Sequence, residues 1–393
     1  MHRRLIDARV RGAGAGVLLF SEDLDEVIAL ADRIRAIVGG GRRMRFERRE
    51  RPSAALTLLA PLGAIASARA MAGALIALAG ATLAEAFGLI LQGACGSPLG
   101  LTETLTRATS LILTGLAAAV AFRARPWNTG GEGQFDMGAL AVAAFGLEPG
   151  LAGAPAPVAV LACLVAGALA GMALLLVPVA LKLRFGTDEV VTTLLLNFVA
   201  ILFVSMMIEG ALRDPLAFGW PQSVPVPDAA LLPQLVERSR LHAGLLIALA
   251  MTVAVWWVQE RTVFGMRARA ARLNARAAAF AGVPLGPTLV LVGCLSAGPA
   301  GLAGAIAVMG VKGYVTTDLS PNYRYSGIVI AMLAALHPIG VIGAALFSAV
   351  IFVGADSMSR ALGVTSYIAD VTVALSLLTM LVALFLVQFR VRR

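Results

Sequence analysis

Three polar clusters interrupt an otherwise apolar chain, and their residue types limit the chemistry available to them. The first is Asn128, Glu132 and Gln134 in the string Trp127-Asn128-Thr129-Gly130-Gly131-Glu132-Gly133-Gln134. The second is Glu189, Thr192 and Asn197 in Gly186-Thr187-Asp188-Glu189-Val190-Val191-Thr192-Thr193-Leu194-Leu195-Leu196-Asn197. The third is the run Arg261, Arg267, Arg269, Arg272 and Arg276, interleaved with alanine between Glu260 and Pro287. Amides, hydroxyls and isolated carboxylates exchange hydrogen bonds with each other or with a polar solute, but they form no nucleophile–base pair. The histidines are His2, His242 and His337, too scattered for a hydrolytic or acid–base set. Cys95, Cys163 and Cys294 lie far apart and suggest neither a disulfide framework nor a metal site. Recognition and passage of a solute suit these residues better than bond-making.

Each cluster has a structural reading beside the functional one. Asn128, Glu132 and Gln134 either cap helix ends in a tight turn or line a pathway where unwound backbone is tolerated at membrane depth. Thr187 or Asp188 caps a helix start, and Glu189 favours the positive end of its dipole. Asn197 lies about two and a half turns further in, where it either locks two helices or meets the solute. The arginines fit a short surface helix that docks on another protein, or they serve only to fix topology.

The elements that position these clusters are membrane spans. The chain is 59% hydrophobic and 14% charged over 393 residues, a balance that needs lipid as solvent. The fold class is all-α, a polytopic helical bundle of about ten segments, near 54–82, 103–123, 131–147, 157–181, 189–209, 243–259, 287–310, 325–336, 338–357 and 365–389. His337-Pro338 marks a sharp break after the eighth. Arg69 sits awkwardly inside the first run, which is either one bent span or two short segments. Asp136 and Asp370 are the clearest acids within spans. Eighteen Lys/Arg, from the six arginines of 42–51 to Arg393, fall on one side and seven on the other, which places both termini in the cytoplasm. The net charge of +9 is thereby accounted for without nucleic acid. The proline-rich segment 210–242 is the longest outer loop and reads as an ordered surface for an external partner. The strings Thr114-Gly115-Leu116-Ala117 and Ala300-Gly301-Leu302-Ala303 echo each other on oppositely directed helices, as an inverted repeat of spans two to five and seven to ten would require.

Thr262-Val263-Phe264-Gly265-Met266-Arg267-Ala268-Arg269, followed by Asn274, Ala277-Ala278 and Ala281-Gly282-Val283, resembles the coupling loop of ABC importer permeases of the branched-chain amino acid, sugar and nucleoside class. Ala275 stands where that family usually has proline, which puts the local turn in question. The strings ending at Gln134 and Asn197, and the stretch Gly327 to Gly340, resemble the nucleoside and simple-sugar branch. The resemblance spans about residues 52–390 and implies a non-enzymatic subunit of the inner or plasma membrane. It implies three protein partners: a cytoplasmic ABC ATPase that uses the ATP, a second permease subunit, identical or homologous, and an extracytoplasmic solute-binding protein. No cofactor is expected on this chain. An ion-coupled secondary transporter or channel is the rival reading, with an intramembrane enzyme behind it.

Residues 1–41 read differently. Gly16 to Phe20 and Ile34 to Val38 are expected as strands around a helix at Asp23 to Asp32. Val17-Leu18-Leu19-Phe20-Ser21-Glu22-Asp23 resembles the C-terminal tail of an ABC ATPase, but no G-x-x-x-x-G-K-[ST] loop precedes it to cradle phosphates. A relic of such a tail, a basic cytoplasmic linker over 42–53 and a permease domain over 54–393 are the expected parts, with a tether to the ATPase as the other account of 1–41.

Overall fold

The computed structural model describes residues 34–38, 42–48, 83–124, 128–148, 153–320, 323–363 and 366–392, with single positions near 63–70 and at 150. The expected first span, Arg69, and the strand and helix expected over 16–32 lie outside the described residues. Two units separate. One takes residues 1–67 with 382–393, the other residues 68–381.

In the smaller unit a three-stranded antiparallel sheet joins the two ends of the chain. Strand β1 (Ile34–Val38) pairs with β2 (Arg42–Arg48), and β2 with β3 (Phe389–Arg392). The registers place Ile34 opposite Phe46 and Arg45 opposite Arg392. The strand expected at Ile34–Val38 is present; the basic stretch taken as a linker forms β2. The all-α reading therefore holds for the bundle and is corrected at the chain ends by these short strands.

The larger unit is helical. Its elements are α1 (Leu83–Cys95), α2 (Pro98–Ala124), α3 (Gly131–Gly146), α4 (Ala156–Phe185), α5 (Glu189–Glu209), α6 (Gly244–Arg261), α7 (Val263–Leu273), α8 (Ala275–Phe280), α9 (Leu285–Ala307), α10 (Tyr323–Leu333), α11 (Pro338–Leu362) and α12 (Ser366–Gln388), whose last residues from Val382 belong to the smaller unit. Local chemistry sets several ends. The Ser97 hydroxyl accepts from the Gly100 amide at 3.0 Å where Pro98 opens α2. Gly186 and Gly363 end α4 and α11 at φ values of 69° and 63°, where a side chain would be strained. Pro338 opens α11 directly after the turn at Ala335 and Leu336, the expected break. Among the described residues six helices are long and apolar enough to cross a membrane: α2, α4, α5, α9 with its π-helical continuation to Lys312, α11 and the Asp370–Val387 part of α12.

Helix α9 is the hub, packed against α2, α3 and α4. Small residues permit this. A Cβ on Gly304 would overlap the Phe135 carbonyl of α3, and one on Gly301 the Gly167 carbonyl of α4, the close backbone approach that membrane helices use in place of a hydrophobic drive. The partnering is crossed: α2 packs on α10 and α11, α9 packs on α3 and α4, and each of those pairs also packs internally. Helix α1 was not anticipated, because Gly88, Gln92 and Gly93 interrupt its apolar run. It lies along α11, joining Ala86 and Ile90 to Met358, with Gly93 against Ser357.

Candidate functional site

The first two polar clusters meet although they are remote in sequence. Asn128 is buried in the turn before α3 and exchanges two hydrogen bonds with Gln134, its Nδ2 donating at 2.9 Å and its Oδ1 accepting at 2.8 Å. Asn128 Nδ2 also donates to the Ser296 hydroxyl at 3.0 Å, which donates to the Ala117 carbonyl at 2.8 Å. This chain of bonds ties the turn and α3 to α9 and α2. The Gly133 amide donates to Asn197 Oδ1 at 2.5 Å, and the Thr129 and Thr193 hydroxyls lie 2.9 Å apart, so α3 is also tied to α5. Asn197 is fully buried and its Nδ2 has no partner among the described residues, which makes it a helix-to-helix lock with one donor unsatisfied. Glu189 and Thr192 stand apart at the start of α5, capped by Asp188. Glu189 pairs with Lys182, and the Thr192 hydroxyl donates to the Asp188 carbonyl at 2.8 Å. Glu132 and Asp136 sit half-buried one turn apart on α3.

The arginine-rich segment forms two short helices with distinct faces. Thr262 caps α7, and Gly265 lies so close to α6 that a Cβ there would overlap the Gln259 carbonyl. Phe264 and Ala268 pack onto Leu116, Val120, Val255 and Val292. Glu260, at the end of α6, binds both Arg123 of α2 and Arg269 of α7, the latter at 2.7 Å. Its carboxyl is held below the usual range: burial works against this, but hydrogen bonds from Arg269 and Arg123 outweigh it. Arg272 donates to the Arg123 carbonyl at 3.2 Å. The opposite face carries Met266, Arg267, Leu273 and Phe280 in the open, the last 97% exposed. The turn survives the missing proline, because Asn274 Oδ1 accepts from the Ala277 amide at 3.0 Å and so caps α8, where Ala277 is exposed and Ala278 buried. Thr262, Phe264, Gly265, Arg269 and Asn274 thus build the platform, and Arg267 is presented by it.

A cavity of about 920 Å³ opens at the other end of α2. Arg107 and Asp356 of α11 form an ion pair at 2.8 Å on its wall, and the Arg107 guanidinium also lies 4.9 Å over the Phe352 ring. Ser110 and Tyr323 share a hydrogen bond nearby. From Arg107 to Arg123 the helix runs sixteen residues, about 24 Å at 1.5 Å per residue, so the cavity and the α7 platform lie at opposite ends of one rigid rod.

The family described as branched-chain amino acid transport system, permease component, matches residues 100–384. The chain belongs to this family. The permease is 33% identical over 343 residues to the glucose ABC transporter permease of Haloferax volcanii, covering 84% of this chain and 89% of that protein. Against the guanosine ABC transporter permease of Bacillus subtilis it is 32% identical, covering 82% and 92%. Against the nucleoside ABC transporter permease of Lactococcus lactis it is 30% identical, covering 68% and 75%. The chain is accordingly a membrane permease of the nucleoside and sugar branch.

None of Asn128, Glu132, Gln134, Glu189, Thr192 and Asn197 lines the large cavity of the permease. The residues that do were missed because Arg107 and Asp356 lie 249 positions apart. The available signal was two opposite charges, each inside an apolar run, where an unpaired charge is costly.

Proposed function

We infer that this permease moves nucleosides or simple sugars inward, driven by ATP hydrolysed on a separate subunit. The observation that carries this reading is the α7–α8 platform. Its inner face is fixed to α2 and α6 through Gly265 and the Glu260 ion pairs, while Met266, Arg267, Leu273 and Phe280 face outward with nothing of the described chain over them. A mixed apolar and cationic knob held this rigidly suits a cytoplasmic ATPase that must push on the helices rather than merely adhere. A second permease subunit completes the pathway, and an extracytoplasmic solute-binding protein delivers the solute to the ordered 210–242 segment. This segment is tied down by Val226 N–H donating to the Gly313 carbonyl at 2.8 Å and Leu232 N–H to the Met309 carbonyl at 2.9 Å. The ten-span count, with 54–82 as the first, and cytoplasmic termini belong to the same reading. The crossed packing of α2 and α9 supports an inverted repeat, and the pairing of β2 with β3 supports an even number of crossings.

The test is uptake into vesicles holding the permease with its ATPase and second permease, with the solute-binding protein supplied outside. Guanosine or glucose uptake is expected to require ATP, and Gly265→Asp or Arg267→Glu is expected to abolish it while membrane insertion persists. Normal uptake by both variants, or uptake with no ATPase present, would sink the reading.

A further inference from the structure

The wall of the 920 Å³ cavity carries a set of hydrogen-bonding groups that the polar lock and the α7 platform leave unused. Asp356 spends only Oδ2 on Arg107; its Oδ1 accepts nothing among the described residues. Arg107 spends Nη1 on that bond, its Nε is buried with no partner among the described residues, and its Nη2 is left for a ligand. The pair lies between α2 and α11, braced from below by Phe352, so the two side chains are held before any solute arrives. Each is partly open, with 23% of the Arg107 side chain and 38% of the Asp356 side chain exposed. Breaking such a pair to bind a lone ion would strand its partner, a costly outcome in a low-dielectric setting. A ligand that bonds to both ends without separating them incurs no such cost.

A hydroxyl both donates and accepts. Two hydroxyls on adjacent ring carbons can therefore donate to Asp356 Oδ1 and accept from the Arg107 Nη2 N–H groups at once. The ion pair has no net charge, so it suits a neutral solute. The cavity falls in the size range of small-molecule sites, which fix orientation with a few placed polar groups. We propose that Arg107 and Asp356 form the solute subsite of this permease and that they recognise the vicinal diol of a neutral sugar or ribose ring. This rests on the permease reading above and assigns its solute contacts. Of the other cations on the lining, Arg240 and Lys312 pair with Glu103 and Asp318, whereas Arg238 and Arg360 have no carboxylate partner among the described residues. They favour an anionic solute instead, which makes a phosphorylated ligand the rival that the experiment must separate.

The probe is a single thiol, Ser357→Cys on the cavity wall, in a permease whose Cys95, Cys163 and Cys294 are replaced by alanine. The full complex in proteoliposomes is alkylated with a membrane-impermeant maleimide in the presence of guanosine, 2′,3′-dideoxyguanosine or guanosine 5′-monophosphate. Guanosine is expected to slow alkylation several-fold and the dideoxy compound to leave it unchanged. Adding Asp356→Asn is expected to raise the guanosine concentration needed at least tenfold. Arg107→Lys, which keeps the charge but loses the fork, should do the same and serves if the first variant fails to insert. Equal protection by the dideoxy compound, tighter protection by the monophosphate, or unchanged protection in the variants would overturn the assignment. ATP-driven uptake of guanosine and of glucose is measured on the same vesicles. Uptake of neither by the wild type counts against the permease reading, whereas guanosine uptake with no protection by guanosine counts against the subsite alone.

Discussion

Asn128 shows how one amide can hold three helices in register. Its Nδ2 donates to both Gln134 and Ser296, and its Oδ1 accepts from Gln134 and from the Gly130 amide at 3.1 Å. Removing it strands the Gln134 amide, which is only 1% exposed. An unsatisfied buried polar group costs roughly 1–3 kcal/mol, whereas replacing both partners by apolar groups of similar shape can be nearly neutral. Asn128→Ala is therefore expected to lower stability by about 2 kcal/mol, read from thermal unfolding of the purified permease in detergent. Adding Gln134→Leu should recover part of the loss, and additive losses would show that the two amides act independently. Asn197, also fully buried, accepts from the Gly133 amide through Oδ1 and leaves Nδ2 without a partner among the described residues.

Two elements carry most of the mechanical argument. The α9 hub approaches α3 so closely that any side chain at Gly304 would overlap the Phe135 carbonyl, whereas Gly343 on α11 has open space around its Cβ position. Gly304→Val is expected to prevent accumulation of folded permease, and Gly343→Ala to leave it unchanged, as judged by gel filtration of a fluorescent fusion; equal behaviour of the two would refute the hub. The 210–242 segment is pinned in a different way. His242 is buried, its ring wedged against Gly244 and Gly310, with Nδ1 accepting from the Gly244 amide at 3.1 Å. Burial pushes its pKa down from 6.5 to about 4. Between those values the unfolded segment takes up a proton that the folded one refuses. The stabilisation is therefore present above pH 6.5 and is lost as pH falls towards 4, to the extent of about 3 kcal/mol. Proteolysis within residues 210–242 should accelerate over that interval in the wild type and depend much less on pH in His242→Gln. An equal acid response in both would place the sensitivity elsewhere.

At the scale of the molecule, apolar runs gave away nearly every helix of the bundle, because lipid leaves no alternative way to satisfy backbone groups. What the sequence hid was whatever depends on distant contacts. Arg107 and Asp356 meet only after folding, and α1 is recognisable as a helix chiefly from its fit along α11. The chain ends teach the same lesson, since a run of arginines read as a linker becomes a strand once Arg45 pairs with Arg392. That pairing constrains topology without reference to charge. Residues 48 and 389 are register partners across β2 and β3, and a strand pair cannot straddle a hydrocarbon core about 30 Å thick. On the topology proposed above, the chain between them crosses the membrane an even number of times. The ten spans proposed above satisfy this and nine would not. The expected outcome is that a reporter fused after Arg393 and a tag inserted after Arg51 are both shielded in intact cells and both exposed on permeabilisation. Opposite exposure of the two would break the β2–β3 pairing and the even count together, whereas shared exposure to the outside would keep the count and reverse the orientation drawn from the arginines.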